Sequence, residues 1–305
     1  MTTRVEADYA DVVDVTGWPI KSNEPRGKRQ KAWVEGPDGT QWLRKQPRSS
    51  RPYEPAIEVA TLKLAQLAGM PAAEARLACW TEQNGTLNRG IVVKKFLTEK
   101  QSLTIGSDLL SGDDPDYVVT RHEQHTLDRV YASLRVQSGT DDNRRLCQCF
   151  MQMIMFDAWI GNSDRHQENW GIVFGEDQVP SLTPVFDSAA CLGSELQDGH
   201  VLLDEKQRTN SIIRKYVDRC RSGFGDRRNL ILQTAVMKEV MQWPNSTETA
   251  NSLLESFALL NQSAETRIVL RFSTNDLPPN RQALALILLT ERLRWLREEV
   301  SHALV

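Results

Sequence analysis

Apolar and polar positions change rhythm along the 305-residue chain. Up to about residue 97 the rhythm is that of strands around one helix. Val12, Val13 and Val15, closed by Gly17 and Pro19, predict an opening strand. Lys31 to Glu35 and Thr40 to Lys45 flank the turn sequence Gly36-Pro37-Asp38-Gly39 and predict a hairpin. Arg76 to Trp80 and Gly90 to Phe96 predict two further strands about the Asn84-Gly85 turn. Between them Ile57, Ala60, Leu64, Leu67 and Ala68 recur at helical spacing, with Pro55 suited to the first turn, Gly69 to the cap and Pro71 just beyond.

After residue 97 the pattern turns helical. Gln101 to Pro115 reads as loop, then Pro115 to Val136 and Asn143 to Trp159 as helices, the second with Leu146, Phe150, Met153, Ile154 and Ala158 on a core stripe. A strand, turn and strand follow at Trp170–Phe174, Gly175–Gln178 and Leu182–Phe186. Ser188 to Lys206 lacks periodicity and reads as a mobile activation-type segment, and Thr209 to Val305 is helical in pattern. The sequence therefore predicts an α+β protein of two lobes, a small β-rich N-lobe (1–97) and a larger, mainly helical C-lobe (98–305).

Composition bounds the class. With 40% hydrophobic and 25% charged residues the chain can bury a large core, and a formal charge of −3 gives no global case for a nucleic-acid or membrane partner. The longest fully apolar run, Ala283 to Leu289, is far short of the roughly 20 residues a membrane helix needs. The N-terminus carries acidic residues where a signal peptide needs an apolar core, so no membrane insertion and a cytoplasmic location are expected. Five cysteines without a C-x-x-C pair read as reduced thiols, no zinc site is expected, and His122 and His125 read as solvated surface histidines.

The chemistry concentrates in Ile160 to Asp187. Asp164 is followed five positions later by Asn169, and the hairpin between Trp170 and Phe186 should return Asp187 to Asn169. A carboxylate and an amide oxygen beside Asp164 suit a hard cation, and protein kinases hold magnesium with an asparagine and an aspartate in this order. Upstream, Lys21 to Arg51 holds nine basic residues against three acidic ones and can face phosphates. Lys45 ends the hairpin there, either as a cleft lysine or as an edge-strand lysine that discourages aggregation. Ser22 to Lys31 reads as a phosphate-covering loop in which Gly27 lets the backbone approach and Lys28, Arg29 and Lys31 add charge. Glu54 and Glu58 lie one turn apart on the first helix, either to orient the lysine or as solvated carboxylates. Six basic residues in Arg214 to Arg228 read as a solvated helix face.

With Lys45, Glu58, the V-K-K-F linker (93–96), G-N-S-D-R-H-Q-E-N (161–169) and V-F-D (185–187) in order, the chain resembles the HipA-like serine/threonine kinases. It shares D-R-H-x-x-N more distantly with phosphatidylinositol kinases. The resemblance runs from about Gly17 to Asp187. It implies a protein-kinase-like fold, ATP and Mg²⁺ as cofactors, and transfer of the γ-phosphoryl group to a serine or threonine of a protein. It makes Asp164 the catalytic base, Asn169 and Asp187 the metal ligands, Lys45 the phosphate-binding lysine and Glu58 its orienting partner. Lys95, Phe96 and Leu97 become the adenine-holding hinge, and Gly27, Lys28 and His166 join the nucleotide-binding residues. An antitoxin-like regulatory protein is the partner it implies, with no direct nucleic-acid binding. HipA toxins usually carry a domain ahead of the kinase, whereas this sequence starts almost at the first kinase strand, and Arg165 stands where they often have glycine. A lipid or small-molecule kinase and a nucleotide-binding pseudokinase are the alternatives.

Overall fold

The computed structural model of the chain describes residues 11–23, 30–138, 145–176, 179–196, 206–226 and 229–303. Gly27, Lys28 and most of the phosphate-covering loop lie outside these residues.

Six strands make one sheet in the first part of the chain. They are β1 (Val13–Asp14), β2 (Ile20–Asn23), β3 (Lys31–Glu35), β4 (Gln41–Lys45), β5 (Ala75–Thr81) and β6 (Leu87–Lys94), with helix α1 (Glu54–Leu67) inserted after β4. Their order across the sheet is β1-β5-β6-β4-β3-β2. The β3–β4 register, Lys31 opposite Lys45 through Glu35 opposite Gln41, follows from the Gly36–Thr40 turn. β4 is an interior strand, paired with β6 as well as β3, so Lys45 is no edge-strand lysine. Side chains alternate between two faces. Val34, Trp42, Ala78, Trp80 and Val92 make an outer cluster under Arg44, whose guanidinium lies 4.6 Å from the Trp80 ring centre. Leu77, Ile91 and Val93 face the other way, join α1 and run into the core of the rest of the chain.

α1 is buried on nearly every side from Glu54 to Leu62, because it lies between β5 and β6 on one side and a C-terminal helix on the other. Glu54 and Glu58 are therefore not solvated; both are fully enclosed. Gly69 follows the helix at φ 77°, and the chain then runs through Pro71 to Ala73 toward residues 183–187.

The second part is mostly helix: α2 (Gly106–Asp113) after β7 (Ser102–Ile105), then α3 (Leu127–Gln137) and α4 (Arg145–Ile160). Next come β8 (Gly171–Phe174), β9 (Pro180–Leu182), α5 (Lys206–Asp218), β10 (Arg221–Asp226) and β11 (Asn229–Leu232). α6 (Gln233–Val240), α7 (Ser246–Gln262), α8 (Ala264–Val269) and α9 (Pro279–Ala303) close the chain. α4 forms the axis, with Trp159 stacked on Phe257 of α7 at 4.4 Å and its indole N–H donated to Leu289 of α9. No helix of the described residues is long and apolar enough to cross a membrane.

Five regions differ from the sequence expectation. Gln101 to Pro115 is strand and helix rather than loop, since β7 pairs with β8 and the polar run Gly106-Ser107-Asp108 starts α2. Pro115 to Val136 is α-helical only from Leu127, with a single 3-10 turn at His122–Gln124 before it. The second hairpin strand is Pro180–Leu182, and beyond it Val185 bridges to Ala72 instead of continuing along β8. The stretch 206–232 is a helix followed by a β-hairpin, so the basic residues from Arg214 to Arg221 are split between two elements, while Arg227 and Arg228 fall outside the described residues. Residues 188–194 are buried, not a mobile loop; the remainder to 205 is described only as far as 196.

Candidate active site

Lys45 points from the end of β4 into the space beneath the sheet. Its Nζ donates to Glu58 Oε1 at 2.7 Å and to Asp187 Oδ1 at 3.0 Å. Lys45 is 4% exposed and Glu58 0%, so the pair is sealed, whereas the Asp187 side chain keeps 15% of its surface. Lys31, directly opposite Lys45 on β3, brings a second ammonium to 3.6 Å from Asp187 Oδ2. Glu54 takes no part: it pairs with Arg48 at 2.7 Å and Arg51 at 3.5 Å. One turn of α1 thus separates a structural glutamate from one that faces the lysine.

Asp187 reaches this position through a conformation that non-glycine residues seldom adopt, φ 52°. A left-handed residue costs about 1 kcal/mol, and its neighbours hold it there. Val185 N–H donates to Pro71 O and Ala73 N–H to Val185 O, which fixes the approach. Thr61 Oγ1 of α1 lies 3.0 Å from Ser188 O, sharing its one hydroxyl proton with Ile57 O at 2.8 Å, and so holds the exit against α1.

Arg165 ties the other side together. It is 1% exposed, and its guanidinium meets Asp157 at 2.7 and 2.9 Å, Asn169 O at 2.6 Å, Phe186 O at 3.1 Å and Ser188 Oγ at 3.1 Å. The carbonyls of Asn169 and of the residue before Asp187 are thus held by one side chain, and the two ends of the β8–β9 hairpin meet. Asn169 Nδ2 donates to Asp164 O at 2.7 Å, which leaves the amide oxygen as its donor atom for a cation. The Asp164 side chain is about half exposed, at 49%, and stands at the mouth of the cluster. His166 Nδ1 accepts from Glu168 N–H at 3.2 Å, and its Nε2 lies 3.8 Å from Asp164 Oδ1 and 3.4 Å from Asn169 Nδ2. His166 therefore belongs to the Asp164 and Asn169 side of the site.

Behind this loop lies a plug. His125 is fully buried rather than solvated, stacked on Phe224 at 4.5 Å. Its Nδ1 lies 3.0 Å from Gly223 O and Nε2 accepts from Trp170 Nε1 at 3.2 Å, the pattern of a neutral imidazole protonated on Nδ1. Gly223 is needed there, because a Cβ would come within 2.2 Å of the Arg165 backbone. Cys191 and Cys220 flank the loop as buried thiols whose pKa burial raises, so neither is a thiolate at neutral pH.

The linker after β6 closes the remaining side. Lys95 N–H is committed to Gln41 O and its Nζ to Gln41 Oε1, both at 2.9 Å, while Phe96 packs on Phe186 at 5.7 Å. The linker thus touches the residue immediately before Asp187.

The sequence reading passed over Asp157 and saw Lys31 only as added charge. A signal for Asp157 exists: a carboxylate inside the apolar run of α4 must find a cation, and Arg165 is the nearest one along the chain.

A β-sheet bearing a buried lysine, a helix carrying its glutamate and a helical half that supplies the loop and Asp187 make up a kinase-like fold. The chain belongs to the family of HipA-like C-terminal domains, which it matches over residues 24–257. Among solved structures it is similar to the Helicobacter pylori proinflammatory kinase CtkA, with a TM-score of 0.73 and 17% identity over 96% of this chain and 99% of that one. It is also similar to Shewanella oneidensis MR-1 HipA from a complex with HipB and operator DNA, at a TM-score of 0.59 and 13% identity, covering 93% of this chain and 68% of that one. Among curated proteins it is 25% identical over 175 residues to Y4dM of Sinorhizobium fredii (strain NBRC 101917 / NGR234), named as a candidate kinase. That match spans 54% of this chain and 41% of the length of the relative.

Proposed function

We propose that the chain is an ATP-dependent kinase that transfers the γ-phosphoryl group to a serine or threonine of a protein substrate, with Mg²⁺ as the cation. The observation that carries the reading is Lys45 Nζ, held between Glu58 at 2.7 Å and Asp187 at 3.0 Å. A sealed lysine with a fixed carboxylate behind it and a partly open one in front suits a phosphate group. Lys45 binds it, Glu58 orients Lys45, and Asp187 is available to a metal ion.

The donor set fits magnesium. The Asp187 carboxylate and the Asn169 amide oxygen are hard oxygen donors at the two ends of one hairpin. When bound, the ion offsets charge on the phosphates. Asp164 then receives or orients the acceptor hydroxyl, and its half-exposed position is where an incoming side chain arrives. The lobe boundary belongs near residue 97, with adenine contacts falling to Phe96 and Leu97, since the Lys95 amide is engaged. Gly27 and Lys28 complete the phosphate loop. An antitoxin-like protein is the regulatory partner by analogy with the HipA–HipB complex. Direct nucleic-acid binding, membrane insertion and a location outside the cytoplasm form no part of this reading.

Arg165 does not favour the lipid-kinase alternative. Its guanidinium is spent on Asp157 and on backbone carbonyls, so it reports on loop architecture rather than on the acceptor. Labelled-phosphate transfer from γ-labelled ATP to peptides, cell lysate and phosphoinositides tests the proposal. Transfer to peptide or lysate serine and threonine is expected in the wild type and absent in Asp164→Ala and Asp187→Asn. Full activity in Asp187→Asn overturns the site assignment. Transfer to the lipid alone replaces the acceptor, and nucleotide binding without any transfer makes the chain a pseudokinase.

A further inference from the structure

The turn between α8 and α9, with the first turn of α9, reaches three parts of the molecule at once. Asp276 pairs with Arg89 of β6 at 2.8 Å. Arg281, 4% exposed, donates Nη1 to Gly193 O at 3.0 Å and Nη2 to Leu196 O at 2.5 Å. The same guanidinium lies 5.1 Å from the centre of the Tyr53 ring, and Tyr53 is the N-cap of α1. A planar fork that binds two carbonyls edge-on while presenting its face to an aromatic ring is a task for arginine, which lysine cannot repeat.

The two carbonyls sit at a strained place in the chain. Leu192 and Gly193 are consecutive left-handed residues, φ 48° and 75°, where the chain reverses after Asp187. Such a reversal is neither helix nor sheet; Leu196 N–H closes it by donating to Gly193 O at 3.0 Å, and Arg281 adds a second donor to that carbonyl and one to Leu196 O. Gly193 also lies close against α9, since a Cβ added there would come within 3.0 Å of a Leu284 methyl. On the other side of the arginine, α1 carries Glu58, and Thr61 three residues later lies against Ser188 O at 3.0 Å.

We propose that Arg281 is a positioning residue of the phosphoryl-transfer site. It clamps the start of α1 to the segment that follows Asp187, and so sets Glu58 and Asp187 on the two sides of Lys45. The inference rests on the kinase reading above. It gives the C-terminal helix, far from the loop in sequence, a direct hold on the site's geometry.

The test is made on the full chain, with ATP and a mixed serine/threonine peptide library as acceptor, using Arg281→Gln, Arg281→Lys, Tyr53→Leu and Tyr53→Phe. Arg281→Gln should lower kcat per folded molecule about tenfold or more, with a smaller change in KM for ATP, as misplacement of a catalytic group does. Arg281→Lys should recover only part of that loss, and Tyr53→Phe nearly all of its activity. Tyr53→Leu should add little to Arg281→Gln, because both cut the same link. Hydrogen–deuterium exchange at Ala56 to Leu62 should rise in Arg281→Gln while α7 stays protected. A purely structural role would lower the melting midpoint but leave kcat per folded molecule intact, and that result overturns the proposal. Unchanged exchange in α1 overturns it too. If Arg281→Gln fails to fold, Arg281→Lys and Tyr53→Leu carry the same measurements. If the wild type transfers phosphate to no acceptor, the kinase reading falls, and the exchange arm still decides whether Arg281 sets α1.

Discussion

Two ionic clusters stand either side of the loop from Asp164 to Asn169, and they use charge for opposite ends. In front, Lys45 shares one ammonium between Glu58 and Asp187, with Lys31 also close to Asp187. Behind, Arg165 meets a carboxylate through two nitrogens, two carbonyls and a hydroxyl, all at fixed angles. An ammonium is a point charge on a flexible stem and can trade partners; a guanidinium fork is directional and, once saturated, has nothing left to trade. On the kinase reading proposed above, the front cluster accepts a new anion and the rear one keeps the loop in shape while that happens.

The comparison breaks most visibly at the rear. Asp157→Ala leaves the Arg165 charge buried without its carboxylate, which costs on the order of 3–5 kcal/mol. A large drop in melting midpoint or a failure to fold is expected. Asp164→Ala, at a half-exposed position, should leave the midpoint within about 0.5 kcal/mol of wild type while transfer is lost. Equal stability losses in the two variants, read from denaturant titrations, would erase the distinction between shape and chemistry.

In front, Lys45→Met takes the ammonium away from the enclosed Glu58, so stability should fall by about 1–3 kcal/mol along with activity. Adding Glu58→Gln removes the buried carboxylate charge and should recover part of the stability but none of the transfer. Recovery of transfer in the double variant would show that Lys45 does not bind phosphate.

How much of this was legible depends on where each element gets its order. The β3–β4 hairpin announces itself, because alternation and a Gly-Pro-Asp-Gly turn are local, and Lys45 came with it. α1 carried its own caps and stripe, although the stripe concealed that the helix is buried on nearly every side from Glu54 to Leu62. β7 was missed because Ser102 to Ile105 becomes a strand only by pairing with β8, and the β10–β11 hairpin because its place is set by Gly223 lying on Arg165. The segment after Asp187 has no periodicity to read. It is ordered from outside, by Ile160, Tyr216 and Arg281, whose partners lie 23 to 88 residues away. His125 misled for the same reason, since a lone histidine looks solvated until Phe224 and Trp170 arrive from elsewhere in the chain.

Nucleotide sharpens the front-to-rear contrast at smaller magnitude. Mg-ATP at a hundred times its dissociation constant should stabilise the wild type by about 2.7 kcal/mol through mass action. The shift should shrink in Lys45→Met and persist in Arg281→Lys. A full shift in Lys45→Met would move the phosphate contact to another residue, Lys31 being next in line.

The smallest expected effect concerns Glu195, close to the reversal that Arg281 holds. As a residue it is only half-buried, but burial of the carboxyl raises its pKa above the ordinary 4.5 despite contacts from Arg51, Tyr216 and Ser194. A raised folded pKa means that its contribution to stability is complete below the ordinary value and is lost as pH rises through the folded one. Glu195→Gln should therefore match wild type in melting midpoint near pH 4.5 and exceed it at about pH 8. A variant that is less stable than wild type at the higher pH would mean that Glu195 is held as a paired anion. The ground beside the reversal would then share the trading character of the front cluster instead of the fixed one behind.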